Sequence, residues 1–152
     1  MILNLERLTR FDNVIYIHNK QHRDRTPKKS QWIISRDAEF GCFENTAALY
    51  VNNKFYEKWP ATYFGLLIEG NKPQYLGVSA SSSNNPRQEL FIAKFVDGNS
   101  NHKWHGYPAD YRTNGKADIP PSKVLNFWHQ KKYLSAAEKR KIAKGQRCKL
   151  SK

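Results

Sequence analysis

The chain of 152 residues carries a formal charge of +13 at pH 7, with 26 Lys and Arg against 13 Asp and Glu, and 13% of its residues are aromatic. No stretch approaches the roughly 18 consecutive apolar residues that a membrane-spanning helix needs, and the N-terminus lacks the apolar centre of a signal peptide. P-loop, dinucleotide-binding and nucleophile-elbow motifs are absent from the sequence, so we expect none of those activities and no cofactor.

The N-terminal third predicts short strands around a basic loop. Residues 12–18 are rich in β-branched and aromatic side chains, which favours a strand. Residues 19–31 are basic, contain a proline and show no periodicity, which is typical of a loop. Another short strand is expected to begin at Trp32 and to end or turn at Gly41. Residues 44–58 allow two interpretations: a helix followed by a strand or loop, which we favour, or two strands around an asparagine turn.

The strongest strand signal lies in residues 62–80. Two runs of aromatic and aliphatic residues flank the polar residues 71–73, which predicts a hairpin. Gly65 and Gly77 interrupt these strands and indicate bulges or places of close backbone approach. Residues 89–96 predict a further strand, which ends at an Asp-Gly turn.

Two short helices are predicted near the C-terminus. The first begins near Pro120 and Pro121, since proline suits a first helical turn, and its apolar residues include Trp128. The second begins at Ser135, which with Glu138 matches the capping-box pattern. Gly145 stands where a left-handed residue would end that helix.

These elements predict an α+β fold, with an antiparallel curved sheet in the N-terminal two-thirds and two short C-terminal helices. Cys42 and Cys148 are far apart and offer neither a disulfide framework nor a zinc-binding spacing, which favours a reduced, cytoplasmic protein. We expect a single domain over 1–152. It divides into a neutral, sheet-rich scaffold (31–117), a basic helical pair (118–147) and a basic tail (148–152).

The positive charge is concentrated at the two ends of the chain. Residues 121–152 hold ten basic side chains and one acid, for a charge of +9, and residues 1–30 contribute +4. Residues 31–120 are neutral, with nine charges of each sign. Because evenly spread solubilising charge would not leave the middle neutral, this pattern predicts basic surfaces that bind a polyanion, foremost a nucleic acid.

The predicted nucleic-acid-binding residues combine cations with aromatic rings. Lysine suits contact with phosphates better than base readout, and aromatic faces can stack on unpaired bases, so RNA or single-stranded DNA is favoured over a duplex. The two helices resemble a helix-turn-helix only loosely, since their turn lacks the usual glycine. The predicted binding residues are Lys123, Lys131, Lys132, Lys139, Arg140, Lys141, Lys144, Arg147, Trp104, Tyr107 and Tyr133.

Residues 102–117 show no periodicity but are dense in aromatic, histidine and turn residues. One alternative function follows from them: a small metal-independent ribonuclease of the toxin type, with His102 and His105 as its acid–base pair. Lys103 or Arg112 would neutralise the phosphate and Asp110 would orient an imidazole. The simpler interpretation is that Trp104 anchors this segment in the core while the histidines are ordinary surface residues.

A third possibility, from another functional class, is an adaptor or inhibitor whose basic face docks on an acidic protein. Turnover of RNA would identify the enzyme. Salt-dependent binding to an oligonucleotide would separate both nucleic-acid hypotheses from the adaptor.

Overall fold

The computed structural model describes residues 5–55, 61–82 and 84–150. None of the helices in these ranges is both long and apolar enough to cross a membrane. The strands are β1 (Leu5–Leu8), β2 (Ile15–His18), β3 (Gln31–Trp32), β4 (Ala61–Leu66), β5 (Ile68–Glu69), β6 (Lys72–Pro73), β7 (Gly77–Val78), β8 (Glu89–Leu90), β9 (Ile92–Asp97) and β10 (Lys103–Pro108). The helices are α1 (Arg36–Asn53), α2 (Tyr111–Asn114), α3 (Ser122–Gln130) and α4 (Ala136–Ala143), with short 3-10 turns at Lys20–His22 and Gly115–Ala117.

Five strands form the main sheet in the order β1-β2-β10-β9-β4. Its neighbours are antiparallel except β2 and β10, which run parallel with Trp104 opposite Tyr16. This sheet and the two C-terminal helices confirm the predicted α+β class. The sheet extends further along the chain than predicted, because residues 103–108, expected to be irregular, form its central strand β10.

Helix α1 differs most from the predicted elements. Ser35 begins it, since the Ser35 Oγ accepts a hydrogen bond from the Ala38 N–H at 3.0 Å, and the left-handed Lys54 ends it with φ +56°. The helical interpretation of residues 44–58 is confirmed as far as residue 53; residues 56–58 lie outside the described residues. The expectation that Gly41 ends or turns a strand is wrong, because Gly41 lies within α1.

The segment predicted as one hairpin, residues 62–80, contributes instead to three sheets. Strand β4 pairs with β9, and β7 pairs with β3 and β8. Only the short strands β5 and β6 pair with each other, as the two strands of a hairpin would. Gly65 and Gly77 do mark close approach. A Cβ atom on Gly65 would lie 2.0 Å from the Thr46 Oγ1 of α1, and one on Gly77 would lie 2.3 Å from the Pro108 Cγ. These glycines let α1 and β10 approach the neighbouring backbones.

Two clusters of buried side chains form the core. In the first, Phe43 of α1 packs on the sheet, with its ring centroid 4.9 Å from Tyr16, 5.3 Å from Phe95 and 5.7 Å from Trp104. In the second, Phe64 and Leu66 at alternate positions of β4, together with Ile92 of β9, pack with the C-terminal helices. This second cluster includes Phe64, Leu66, Ile92, Leu125, Trp128, Leu134 and Ile142.

The C-terminal helices begin where the sequence predicts, and the second also ends near the predicted Gly145. Pro121 precedes α3, and both hydrogen bonds of the capping box begin α4. The Glu138 N–H donates to the Ser135 Oγ at 3.1 Å, and the Ser135 N–H donates to the Glu138 Oε1 at 2.8 Å. In the turn between the helices, Lys132 takes the positive φ of 66° that a glycine would adopt more easily, and Gly145 follows α4 with φ +70°.

Ser135→Ala is expected to lower the free energy of unfolding by about 1 kcal/mol, because it removes the capping hydroxyl and leaves an N–H of the first turn unpaired. Urea denaturation followed by circular dichroism would measure the change. Ser122→Ala is the matched control: Ser122 is the first residue of α3, exposed, and not the cap. Equal stability of the two variants would show that the capping box does not stabilise α4.

Candidate nucleic-acid interface and histidine cleft

Strand β10 presents two different faces. Because side chains alternate along a strand, Trp104 points into the core and His105 and Tyr107 point to the opposite face. There they meet the loop between β2 and β3. A cleft of about 440 Å³ lies between the two, and we call it the histidine cleft. Its lining residues come from the loop, from β10 and α2 with the residues around them, and from the segment after β7: Asn19, Gln21, His22, Lys28, Lys29, Ser30, Ala80, His105, Tyr107, Asp110, Thr113 and Asn114.

Two hydrogen-bonding side chains, the buried Gln31 and the half-buried Arg87, hold the loop against the rest of the protein. The Gln31 side chain is 5% exposed; its Nε2 donates to the Gln21 carbonyl, and its Oε1 accepts from the Arg25 N–H, each at 2.8 Å. Arg87 donates to the Ser79 carbonyl at 2.8 Å and to the Thr26 carbonyl at 2.9 Å. These bonds fix the course of the loop and thereby place exposed lysines at the rim of the cleft.

His22 is the more deeply buried histidine of the cleft, with 8% of its surface exposed. Its Nδ1 lies 2.8 Å from the Ser30 carbonyl oxygen, so the neutral ring carries its proton on Nδ1 and leaves Nε2 as an acceptor. The ring stacks on Tyr107 with centroids 5.2 Å apart. Burial lowers the pKa of His22, and the charges of Lys29 and His105 act in the same direction; the Ser30 carbonyl and Glu39 oppose them.

His105 is half-buried on β10, beside the turn that connects β9 to β10. Burial lowers its pKa, while the negative charge of Asp97 opposes that shift. Asp97 is 4% exposed, and its two carboxylate oxygens accept from the Asn101 and His102 N–H groups, each at 3.2 Å. Asp97 thus both shapes the turn and favours the protonated form of His105.

Asp118 anchors the side of the cleft that β10 and α2 form. It is 1% exposed and accepts from the Tyr107 hydroxyl at 3.4 Å, the Asp110 N–H at 3.0 Å and the Asn114 Nδ2 at 2.8 Å. The Lys94 ammonium lies 3.3 Å from its Oδ1 and supplies the compensating charge. Burial raises the pKa of Tyr107, as does its contact with Asp118, so this phenol stays protonated and fixes the ring under His22.

A third buried carboxylate, that of Glu39 on α1, lies behind the loop and is fully buried. Its Oε1 accepts from the Arg23 Nη2 at 2.7 Å, and its Oε2 accepts from the Tyr16 hydroxyl. The His18 Nδ1 lies 3.1 Å from the same Oε1 but not in hydrogen-bonding geometry. Arg23 also donates to the Ile34 carbonyl, so this cluster joins the start of the loop to α1.

The residues predicted as a ribonuclease site are separated in the fold. His105 and Asp110 line the histidine cleft, whereas His102 is exposed in the turn before β10 and does not line it. The Lys103 ammonium lies 3.5 Å from a carboxylate oxygen of Glu6 on β1. His105 therefore shares the cleft with a histidine from the β2–β3 loop, and not with the one that precedes it in sequence.

The other two residues of that prediction also have different surroundings from those expected. The Asp110 Oδ1 accepts from the Thr113 N–H at 3.3 Å and caps α2, a structural role in place of orienting an imidazole. Arg112 lines a small crevice that Asp110 and Arg147 also line. Asp110 borders both spaces, so the crevice with its two arginines lies next to the histidine cleft.

The three aromatic residues predicted to stack on bases are unequally accessible. The stacking role expected of Trp104 is wrong for this fold, because Trp104 is 5% exposed and its ring packs on Tyr63 with centroids 4.2 Å apart. One face of Tyr107 is covered by His22. Tyr133 is half-buried in the turn between α3 and α4.

The predicted cations of the basic helical pair lie on its surface. In the part of the chain that the structure describes, the lysines and arginines of α4 and of the turn before it take part in no ion pair. The Lys139 ammonium donates to the Asn126 Oδ1 at 3.0 Å, and the Lys131 ammonium lies over the Phe127 ring at 5.6 Å. The exposed cations are Lys123, Lys131, Lys132, Arg140, Lys141, Lys144 and Arg147.

Comparisons with protein-family models, with curated proteins and with solved structures find no match for this chain. Within residues 5–55, 61–82 and 84–150, no group of three or more His, Cys, Asp or Glu side chains is placed to hold a metal ion.

Proposed function

We propose that the protein binds nucleic acid, with RNA or single-stranded DNA favoured over duplex DNA. The observation that carries this proposal is the excess of positive charge in the basic helical pair, where the cations of α4 and of the turn before it take part in no ion pair with a described residue. Residues 121–152 contain a single acid, Glu138, against ten basic side chains, and the Glu138 carboxylate is used by the capping box. The exposed cations Lys131, Lys132, Arg140 and Lys141 are therefore available for phosphates.

The histidine cleft favours a single strand. Its volume of about 440 Å³ is in the range of small-ligand pockets, so it has room for one nucleotide-sized group but not for a duplex. Lys28 and Lys29 at its rim and the neighbouring Arg112 and Arg147 would neutralise the phosphates of a strand that enters it. A cytoplasmic location remains part of the proposal, and the two buried free cysteines, Cys42 and Cys148, support it.

The double variant Arg140→Glu/Lys141→Glu is expected to flatten the dependence of log K on log salt by about 1.4 units, since each contact with a single-strand phosphate contributes about 0.7. Fluorescence anisotropy of a labelled single-stranded RNA of mixed sequence, titrated at several salt concentrations, would measure this slope. The matched control is Arg36→Glu/Lys54→Glu, which reverses the same number of charges at exposed positions at the start and just beyond the end of α1.

The control is expected to leave the slope unchanged, because it removes no phosphate contact. Equal slopes for both double variants would move the phosphate contacts away from α4. If the wild-type protein shows no salt-dependent binding to RNA or DNA, the proposal is wrong, and the adaptor hypothesis of an acidic protein partner takes its place.

A further inference from the structure

We infer that the histidine cleft is a site of RNA cleavage, in which His22 and His105 act as the acid–base pair. This inference rests on the proposed nucleic-acid binding, since the strand must first be held at the cleft. It assigns the catalytic partner of His105 to the loop between β2 and β3. The observation behind it is that two histidines, two lysines and a rigid tyrosine line one nucleotide-sized space.

The reaction is an internal transesterification that needs no co-reactant. The base takes the proton of the 2′-hydroxyl, and the 2′-oxygen attacks the adjacent phosphorus as the bond from phosphorus to the 5′-oxygen breaks. The acid gives its proton to the departing 5′-oxygen. The products are a 2′,3′-cyclic phosphate and a 5′-hydroxyl end, and the pair returns to its starting state after one proton exchange with water.

His22 suits the role of the base. Its Nδ1 is held by the Ser30 carbonyl at 2.8 Å, which leaves the lone pair on Nε2 to accept a proton. Its ring cannot turn freely, because it stacks on Tyr107, whose hydroxyl is bound to the buried Asp118. A base whose position is fixed in this way meets the geometric requirement for general base catalysis.

His105 suits the role of the acid. Burial lowers its pKa, but the nearby Asp97 carboxylate opposes that shift and favours the protonated form, and the ring lies in the same cleft as His22. Lys28 and Lys29 lie at the rim of the same cleft, where their ammonium groups would stabilise the charge that develops on the phosphate oxygens. The 2′-hydroxyl is the nucleophile, so this arrangement selects RNA over DNA.

The pH dependence follows from the charges around the two rings. His22 faces Lys29 of its own loop, His105 of β10 and Glu39 of α1. His105 faces Asp97 of β9 and His22. Lys28 and Asp110, the cap of α2, also line the cleft. Burial lowers the pKa of both histidines, so one neutral and one protonated ring coexist mainly below their ordinary value of about 6.5. The rate should therefore follow a bell with its maximum on the acidic side of neutrality.

The experiment uses three end-labelled single strands of one sequence: RNA, DNA and 2′-O-methyl RNA. The wild-type protein is expected to cleave RNA alone, in the presence of chelator, and to leave a terminal 2′,3′-cyclic phosphate that mass spectrometry identifies. His105→Ala and His22→Ala should each reduce the rate by about 100-fold or more. Both should bind the 2′-O-methyl strand, which lacks the nucleophile, within a few-fold of wild type.

His22 is buried, so a melting curve of the His22→Ala variant must accompany its rate. If that variant fails to fold, the His105→Ala variant decides, because His105 is only half-buried. Binding of the 2′-O-methyl strand without cleavage of RNA would overturn this inference and leave the proposed function standing. No binding of any strand would overturn both. Cleavage that survives His22→Ala in a folded protein but disappears with His102→Ala would return the site to the histidine pair that is adjacent in sequence.

Discussion

Glu39→Ala is expected to lower the free energy of unfolding by about 3 to 5 kcal/mol, because removing one partner of a buried ion pair leaves the other charge uncompensated. The Arg23 guanidinium, whose side chain is 16% exposed, would lose the carboxylate 2.7 Å away, and the buried Tyr16 hydroxyl would lose its acceptor. Urea denaturation at neutral pH would measure the loss.

Asp37→Ala is the matched control for that prediction. Asp37 lies two residues earlier in the same helix and also pairs with an arginine, Arg7, at 2.8 Å, but its side chain is 90% exposed. A solvated pair contributes little, so this variant should cost less than about 1 kcal/mol. Losses of equal size in the two variants would mean that burial of Glu39 is not what makes its ion pair important.

The C-terminal helices were predictable because their signals are local. Pro121 begins α3, and Ser135 with Glu138 begins α4; all of these residues act within one helical turn. No distant partner is needed to interpret them. The packing of α4 follows less directly from the sequence. Its fully buried residue Ile142 belongs to the same core cluster as Leu134 and Trp128, and this grouping is known only from the fold.

Strand β10 was missed because its inward positions carry residues that conceal the alternation of a strand. Trp104 is followed on the same face by Gly106 and Pro108, neither of which is typical of a central strand. The structure explains the glycine: a Cβ atom there would lie 2.3 Å from the ring of Phe95 on β9. That neighbour is known only after the strand order is known, so the sequence could not reveal the reason.

The candidate site was predictable in part. His105, Tyr107 and Asp110 were predicted as site residues from the composition of their segment. His22 was not, because it lies in a basic loop that only the hydrogen bonds of Gln31 and Arg87 bring to the cleft. The buried carboxylates were also missed.

For Glu39 a signal existed. Its spacing to Phe43, Thr46 and Tyr50 places a carboxylate on the apolar face of a helix, which indicates a buried charge with a partner. This signal could not be used as long as a strand that begins at Trp32 was expected to continue to an end or turn at Gly41.

Asp118→Ala is expected to lower the free energy of unfolding by about 3 to 5 kcal/mol and to disorder one wall of the histidine cleft. The Lys94 ammonium would lose its counter-charge, and three further donors, from Tyr107, Asp110 and Asn114, would lose their acceptor. Denaturation would give the stability, and the NMR signals of His22, which stacks on Tyr107, would report on the cleft.

Asp118→Asn separates charge from shape. It keeps the size of the side chain. In the wild-type protein each carboxylate oxygen of Asp118 accepts from two donors. In either orientation of the asparagine amide, its NH₂ group would therefore replace an acceptor of two hydrogen bonds by a donor. This variant should therefore also be destabilised, although less than Asp118→Ala. Asp110→Ala is the neighbouring control, since it removes only the cap of α2 and should cost about 1 kcal/mol. Equal stability of the three variants would mean that the four donors find other acceptors when Asp118 is replaced. Asp118 would then not be the residue that holds β10 and α2 together.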